Sequence, residues 1–204
     1  MLARMLLFTI QSCAALSPCV LHGPGRPVSY LSAVLKAYPI PVRVIDTANV
    51  SLPELPPNDL ISSEVRRAGL HVLYALTECG GDPWTMLVED DMVPCKGAID
   101  TVRTVLANTS YDVVFFSKFS RAFAMRRERV ELFATSVREN LELKPYDIVL
   151  RTGMWLPPGE HMLTYPKNLF HHIGSLSTVP ERNSKDFIQK HAALRGDICG
   201  EVMT

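Results

Sequence analysis

The sequence predicts an α/β protein, a mostly parallel sheet flanked by helices. Short apolar runs of strand length alternate with stretches of helical spacing in the order βαβαβαβ, the pattern of a sheet covered on both faces. The 204 residues are 47% hydrophobic and 21% charged, as in globular rather than disordered chains. A chain of this length buries roughly 70% of its unfolded surface, enough for a core without disulfide or metal staples.

The elements follow in order. Behind Arg4, the apolar run Met5 to Ile10 and the small residues Ser12 to Ala15 superficially resemble a signal peptide. The run is short for a secretory core and opens the strand and helix repeat, so Leu6 to Gln11 reads as a buried first strand. Tyr30, Val34 and Leu35 recur at helical spacing after the Gly23-Pro24-Gly25 turn, predicting a helix from Val28 to Tyr38. Val42 to Ile45 is a second strand. Ser62 or Ser63 caps a helix whose face carries Val65, Ala68, Val72, Leu73 and Leu76, ending near Gly80-Gly81. Trp84 to Val88 reads as strand, Gly97 to Leu106 as helix, and Tyr111 to Phe116 as a strand buried on both faces. Arg126 to Leu141 is a covering helix, with Arg126, Arg127 and Arg129 on a solvated face. From Lys144 onward Pro and Gly become frequent and the elements shorten, suggesting a small subdomain that closes one side of a cleft. One domain is expected over 1–204, with a nucleotide-binding half at 1–120 and an acceptor-side half at 121–204.

Lys and Arg number 21 and so do Asp and Glu, which gives no electrostatic reason to bind nucleic acid or an anionic membrane surface. A small-molecule or glycan partner is expected. No stretch of about 20 apolar residues predicts a bilayer-spanning helix. The five cysteines, Cys13, Cys19, Cys79, Cys95 and Cys199, contain no CxxC and suggest no structural zinc. Cys13 with Cys19 is a geometric possibility for a disulfide in an oxidising compartment. Two sequons, Asn49-Val50-Ser51 and Asn108-Thr109-Ser110, fall in predicted connections where a lumenal protein carries glycans.

The most informative stretch is Met86-Leu87-Val88-Glu89-Asp90-Asp91-Met92-Val93-Pro94, an apolar strand running into three adjacent carboxylates. Their repulsion is costly unless a cation, donors or water compensate, which a divalent metal explains. An open α/β sheet places its ligand site beyond such strand ends. The plain alternative is a solvated turn with Asp91 capping the next segment. Late in the chain, Leu169-Phe170-His171-His172-Ile173-Gly174 offers imidazoles; imidazole with carboxylate suits manganese, and the fold can bring this segment to Asp91. Otherwise the pair is one core and one exposed histidine.

These stretches, with Phe116-Ser117-Lys118-Phe119 and Lys144-Pro145-Tyr146-Asp147, resemble a GT-A type (Rossmann-like, nucleotide-diphospho-sugar) inverting glycosyltransferase, and most closely the N-acetylglucosaminyltransferase IV family that branches N-glycans. The likeness runs from residue 84 to about 187. It implies that Asp91 holds a divalent metal, most suitably Mn2+, on the nucleotide diphosphate, with His172 completing that site. It implies that Glu89 and Asp90 contact donor sugar and ribose, and that Asp46, at the end of the second strand, meets uracil. Asp147 is then the general base, taking the acceptor hydroxyl's proton in a single in-line displacement; its plainer role is to cap Ile148 to Leu150. Glu160, in the Pro157-Pro158-Gly159-Glu160 loop, is the alternative base. Trp155 or Tyr165 is a candidate for stacking on an acceptor sugar, or for packing. The implied donor is UDP-GlcNAc and the implied acceptor a mannose-containing N-glycan, in the Golgi lumen or another secretory compartment. Three other readings stay open: a glycosyltransferase acting on glycosylphosphatidylinositol anchors, a non-catalytic nucleotide-sugar-binding module, and an unrelated α/β domain whose triplet is a surface turn.

Overall fold

The computed structural model describes residues 19–22, 43–46, 55, 58, 60–79, 83–89, 92–117 and 121–172. The predicted strand Leu6 to Gln11 and helix Val28 to Tyr38 lie outside them. Strands β1 (Cys19–His22) and β2 (Arg43–Asp46) pair in parallel. Then come α1 (Ser63–Glu78), β3 (Trp84–Val88), β4 (Met92–Pro94), α2 (Ala98–Asn108), β5 (Val113–Phe115) and β6 (Ala122–Arg126). A 3-10 turn, Arg127–Arg129, leads into α3 (Val130–Asn140), followed by α4 (Tyr146–Thr152), β7 (Met162–Thr164) and β8 (Phe170–His172).

The principal described sheet has four strands in the order β3-β6-β5-β7. It is mixed rather than mostly parallel: β6 runs antiparallel to both neighbours, whereas β5 and β7 pair in parallel. Consequently β3, β5 and β7 point the same way and end at one edge. The sheet takes β3 and β5 from the predicted first half and β6 and β7 from the second, so the halves share one sheet.

Alternation along the strands explains the layering. Val113, Phe115, Phe123 and Met125 face a core made with Leu70, Leu73 and Leu76 of α1, Phe133 and Val137 of α3, and Val149 and Leu150 of α4. Val114, Phe116, Ala122 and Ala124 face the opposite core, with Val102 of α2, Met92 and Phe170. Small Ala122 and Ala124 on β6 leave room there for Phe116 and Phe170.

Helix α1 starts as the sequence predicts, with the Ser62 hydroxyl accepting from the Val65 N–H at 3.4 Å. Its last carbonyls do not face water. Arg127 donates to the Leu76 and Thr77 carbonyls at 2.9 and 3.2 Å, a cation placed at the negative end of the helix dipole. Arg126 lies over the Trp84 ring, 4.7 Å from its centroid, and donates to the Thr109 carbonyl at 3.1 Å. Arg129 pairs with Asp112 at 3.3 Å and with Glu160. The arginine group therefore ties elements together and is not the solvated face expected from the charge run.

Cys19 bonds to Cys79, joining the start of β1 to the residue that ends α1. The Cys13 with Cys19 possibility is thereby replaced by a longer-range bridge. Cys95 is disulfide-bonded as well.

Candidate functional site

The site begins where β3 ends. Glu89 follows Val88, and its backbone N–H donates to the Arg121 carbonyl at 3.0 Å, which continues the β3–β6 ladder one residue beyond the strand. The Met92 N–H, at the start of β4, donates to the Glu89 carbonyl at 3.1 Å, which ties the end of β3 to β4. Asp90 and Asp91, the middle of that segment, lie outside the described residues.

Strand β4 pairs antiparallel with β8, in a register that sets Met92 opposite His172, Val93 opposite His171 and Pro94 opposite Phe170. Two segments almost eighty positions apart in sequence are thus joined, and His172 stands across from the residue that follows Asp91. Further bonds fix β8's approach: Leu169 N–H donates to the Phe116 carbonyl and Cys95 N–H to the Leu169 carbonyl, both at 2.9 Å. The ends of β3 and β5 and the β4–β8 pair gather at one edge of the sheet, the edge where α/β folds hold ligands.

The Glu89 carboxylate, about one-third exposed, is bracketed by two donors. Arg121 Nε lies 3.8 Å from Oε2, and the Tyr146 hydroxyl donates to Oε1 at 3.2 Å. Burial, then the negative charges of Glu89 and Asp147, raise the Tyr146 phenol well above its usual range, so it stays a proton donor.

Asp147 comes next on α4. The helix runs from Tyr146 to Thr152 with Pro145 at its N-cap and no side-chain capping bond, so Asp147 lies inside the first turn and does not cap Ile148 to Leu150. Its partly buried carboxylate makes no hydrogen bond or ion pair among the described residues. A carboxylate so placed can accept a proton.

Glu160 lies elsewhere. Glu160 bonds to Arg129, which also holds Asp112, and the neighbouring His161 carbonyl accepts from the Asp112 N–H at 3.1 Å. Asp112 precedes β5, so Glu160 sits at the opposite end of the sheet from Glu89, roughly 15 Å away by the rise of a five-residue strand. Asp46 ends β2, its backbone opposite His22; its side chain lies outside the described residues. Trp155 is core: its ring lies 5.2 Å from Phe133, and its indole N–H donates to the Leu150 carbonyl at 3.3 Å. Tyr165 packs on Phe116 and lines a separate surface groove.

No family model matches the chain, and no curated protein does.

Among the described residues no cluster of three or more His, Cys, Asp or Glu side chains could hold a metal; the side chains of Asp91 and His172 are not among them. No described helix is long and apolar enough to cross a membrane. Sequence reasoning missed Tyr146 and Arg121, which hold Glu89. Tyr146 sat inside the Lys144-Pro145-Tyr146-Asp147 stretch, but its spacing from Glu89 carries no local signal.

Proposed function

We propose that the chain is a metal-dependent inverting glycosyltransferase that moves N-acetylglucosamine from UDP-GlcNAc to a mannose-containing N-glycan. The observation that carries the reading is the β4–β8 register, which sets His172 across from the residue following Asp91. Two stretches singled out independently for their chemistry are neighbours.

A carboxylate and a neutral imidazole are a donor set suited to manganese, and Asp91 and His172 are the residues that would hold it. When bound, the cation neutralises charge on the departing diphosphate. The remaining work falls to the chain's own groups. Glu89, oriented by Tyr146 and Arg121, and Asp90 contact donor sugar and ribose, and Asp46 contacts uracil. Asp147 accepts the proton of the acceptor hydroxyl as its oxygen bonds to the anomeric carbon and the bond to the diphosphate breaks, inverting that carbon in one displacement. The Glu160 alternative is not kept, because its carboxylate is engaged by Arg129 at the far end of the sheet. The Cys19–Cys79 bridge supports an oxidising compartment, in keeping with the Golgi or another secretory lumen.

The test is transfer from UDP-GlcNAc to a mannose-terminated N-glycan with manganese, followed by mass spectrometry of the acceptor. Extended product is expected, and Asp147→Asn should lower turnover by about 100-fold or more while leaving donor affinity unchanged. Donor binding without product on any glycan acceptor would instead describe a non-catalytic binding module. Absence of donor binding would overturn the reading.

A further inference from the structure

The sequon Asn108-Thr109-Ser110 lies at the end of α2, where Asn108 is exposed and the chain leaves the helix through an extended Thr109 (φ −90, ψ 141). Ser110, two residues on, is exposed as well. Beside them is an open groove of about 360 Å³, lined by Asn108 itself, Val105, Tyr111, Leu163, Tyr165 and Pro166. Its wall is anchored to the sheet: Tyr165 packs on Phe116 with ring centroids 6.1 Å apart, and its backbone N–H donates to the Phe115 carbonyl.

We propose that Asn108 is an N-glycosylation site and that the first sugar of its glycan occupies this groove. Three observations carry this independently of the transferase reading. The acceptor asparagine and the hydroxyl residue that completes the sequon are both at the surface. The Cys19–Cys79 bridge fits the oxidising compartment in which such modification occurs. The groove next to the acceptor amide is apolar and aromatic, the surface against which the C–H face of a hexose packs.

The chemistry balances with a lipid-diphosphate-linked oligosaccharide as donor and the host's oligosaccharyltransferase as catalyst. The Asn108 Nδ2 bonds to the sugar's anomeric carbon, the bond from that carbon to the lipid diphosphate breaks, and one amide proton leaves to a base of that enzyme. The second amide proton remains. It can still donate, and the Thr104 carbonyl lies 2.7 Å from Nδ2 in the unmodified protein.

The experiment is expression of the full chain, directed to the secretory pathway of a eukaryotic host. Peptides are mapped after enzymatic glycan release in ¹⁸O-water, which converts an occupied asparagine to labelled aspartate. Label at Asn108 is expected, and it should be lost in Ser110→Ala, which keeps the asparagine and its helix bond, and in Asn108→Gln. An unlabelled Asn108 in folded, secreted protein overturns the site. Trimming the glycan to its first sugar tests the groove. The trimmed protein is expected to melt about 2–4 °C above Ser110→Ala, the scale of one aromatic stacking contact in a protein of this size, and Tyr165→Ala should remove that gain. Equal melting of trimmed protein and Ser110→Ala overturns the seat for the sugar.

Discussion

The hydroxyl of Tyr146 donates to the carboxylate of Glu89 at 3.2 Å, linking the first turn of α4 to the end of β3. The bond makes one unit of two stretches 57 residues apart, one carrying the acidic triplet and the other Asp147. It also gives the Tyr before the proposed base a role: the phenol reaches the sheet edge, while its neighbour's carboxylate takes no partner among the described residues.

Tyr146→Phe removes that bond without opening a cavity. The expected loss is about 1–2 kcal/mol at neutral pH, since the acceptor is charged, and donor affinity should fall as Glu89 loses its orientation. The pH dependence has a definite sign. The folded-state pKa is raised, by burial first and then by Glu89 and Asp147, so the phenol's contribution is intact below the unfolded value and lost as pH rises above about 10. Chemical denaturation at neutral and alkaline pH should show the gap between wild type and variant narrowing above that point.

Arg66 is almost wholly buried and faces Glu142, its Nη1 lying 2.7 and 2.6 Å from the two carboxylate oxygens. Asn58 also donates to that carboxylate, at 2.6 Å. The Asn58 bond and then the Arg66 bond lower the Glu142 pKa. Glu142→Ala should therefore lower the melting temperature clearly at pH 7, because a buried cation loses the carboxylate it faces. A depressed carboxylate contributes above its unfolded pKa and stops contributing as pH falls through the folded value. The difference in melting temperature should shrink below about pH 4.

The Cys19–Cys79 bridge spans a sequence separation of 60. Closing a loop of that order should stabilise the fold by about 2–4 kcal/mol. The Cys19→Ala/Cys79→Ala double variant, which leaves neither cysteine of this pair to mispair, is expected to unfold at correspondingly lower denaturant. An unchanged midpoint would mean that the β1–β2 pair adds nothing to the stability of the rest.

Gly153 ends α4 in the left-handed region (φ 62), and a Cβ there would come within 2.8 Å of the Met162 side-chain tip. That tip is flexible and can move, so the cost of Gly153→Ala is mainly conformational, about 1–2 kcal/mol. Differential scanning calorimetry should register it, with donor binding retained.

Legibility in the sequence followed the strength of local pattern. Trp84 to Val88 and the helix after Ser62 were readable because period and cap agree with the final packing. Strand β6 was not. Ala122-Phe123-Ala124-Met125-Arg126 contains no β-branched residue, and Ala and Met favour helix, so only burial between β3 and β5 makes it a strand. Missing β6 made the sheet look mostly parallel. The arginines after it read as solvated because their acceptors, the carbonyls of Leu76, Thr77 and Thr109 and the carboxylates of Asp112 and Glu160, are distant in sequence. Strand Cys19–His22 is four residues beside a Pro-rich stretch and gave little signal. Trp155, a candidate for sugar stacking by residue type, is core because Phe133 of α3 and the Leu150 carbonyl of α4 enclose it. At the candidate site, the sequence singled out carboxylates and imidazoles one by one, whereas the pairing of β4 with β8 depends on tertiary register that no local period encodes.

The central claim is that Asp91 and His172 serve one metal and diphosphate site. The most direct measurement is titration of Mn2+ followed by electron paramagnetic resonance, with UDP-GlcNAc present, for wild type, Asp91→Ala, His172→Ala and the double variant. Each single change is expected to weaken manganese binding by at least about 10-fold, with the double variant little worse than either one, as for two ligands of one ion. Manganese affinity that is unaffected by either substitution, or no saturable binding in folded wild type, would contradict the account.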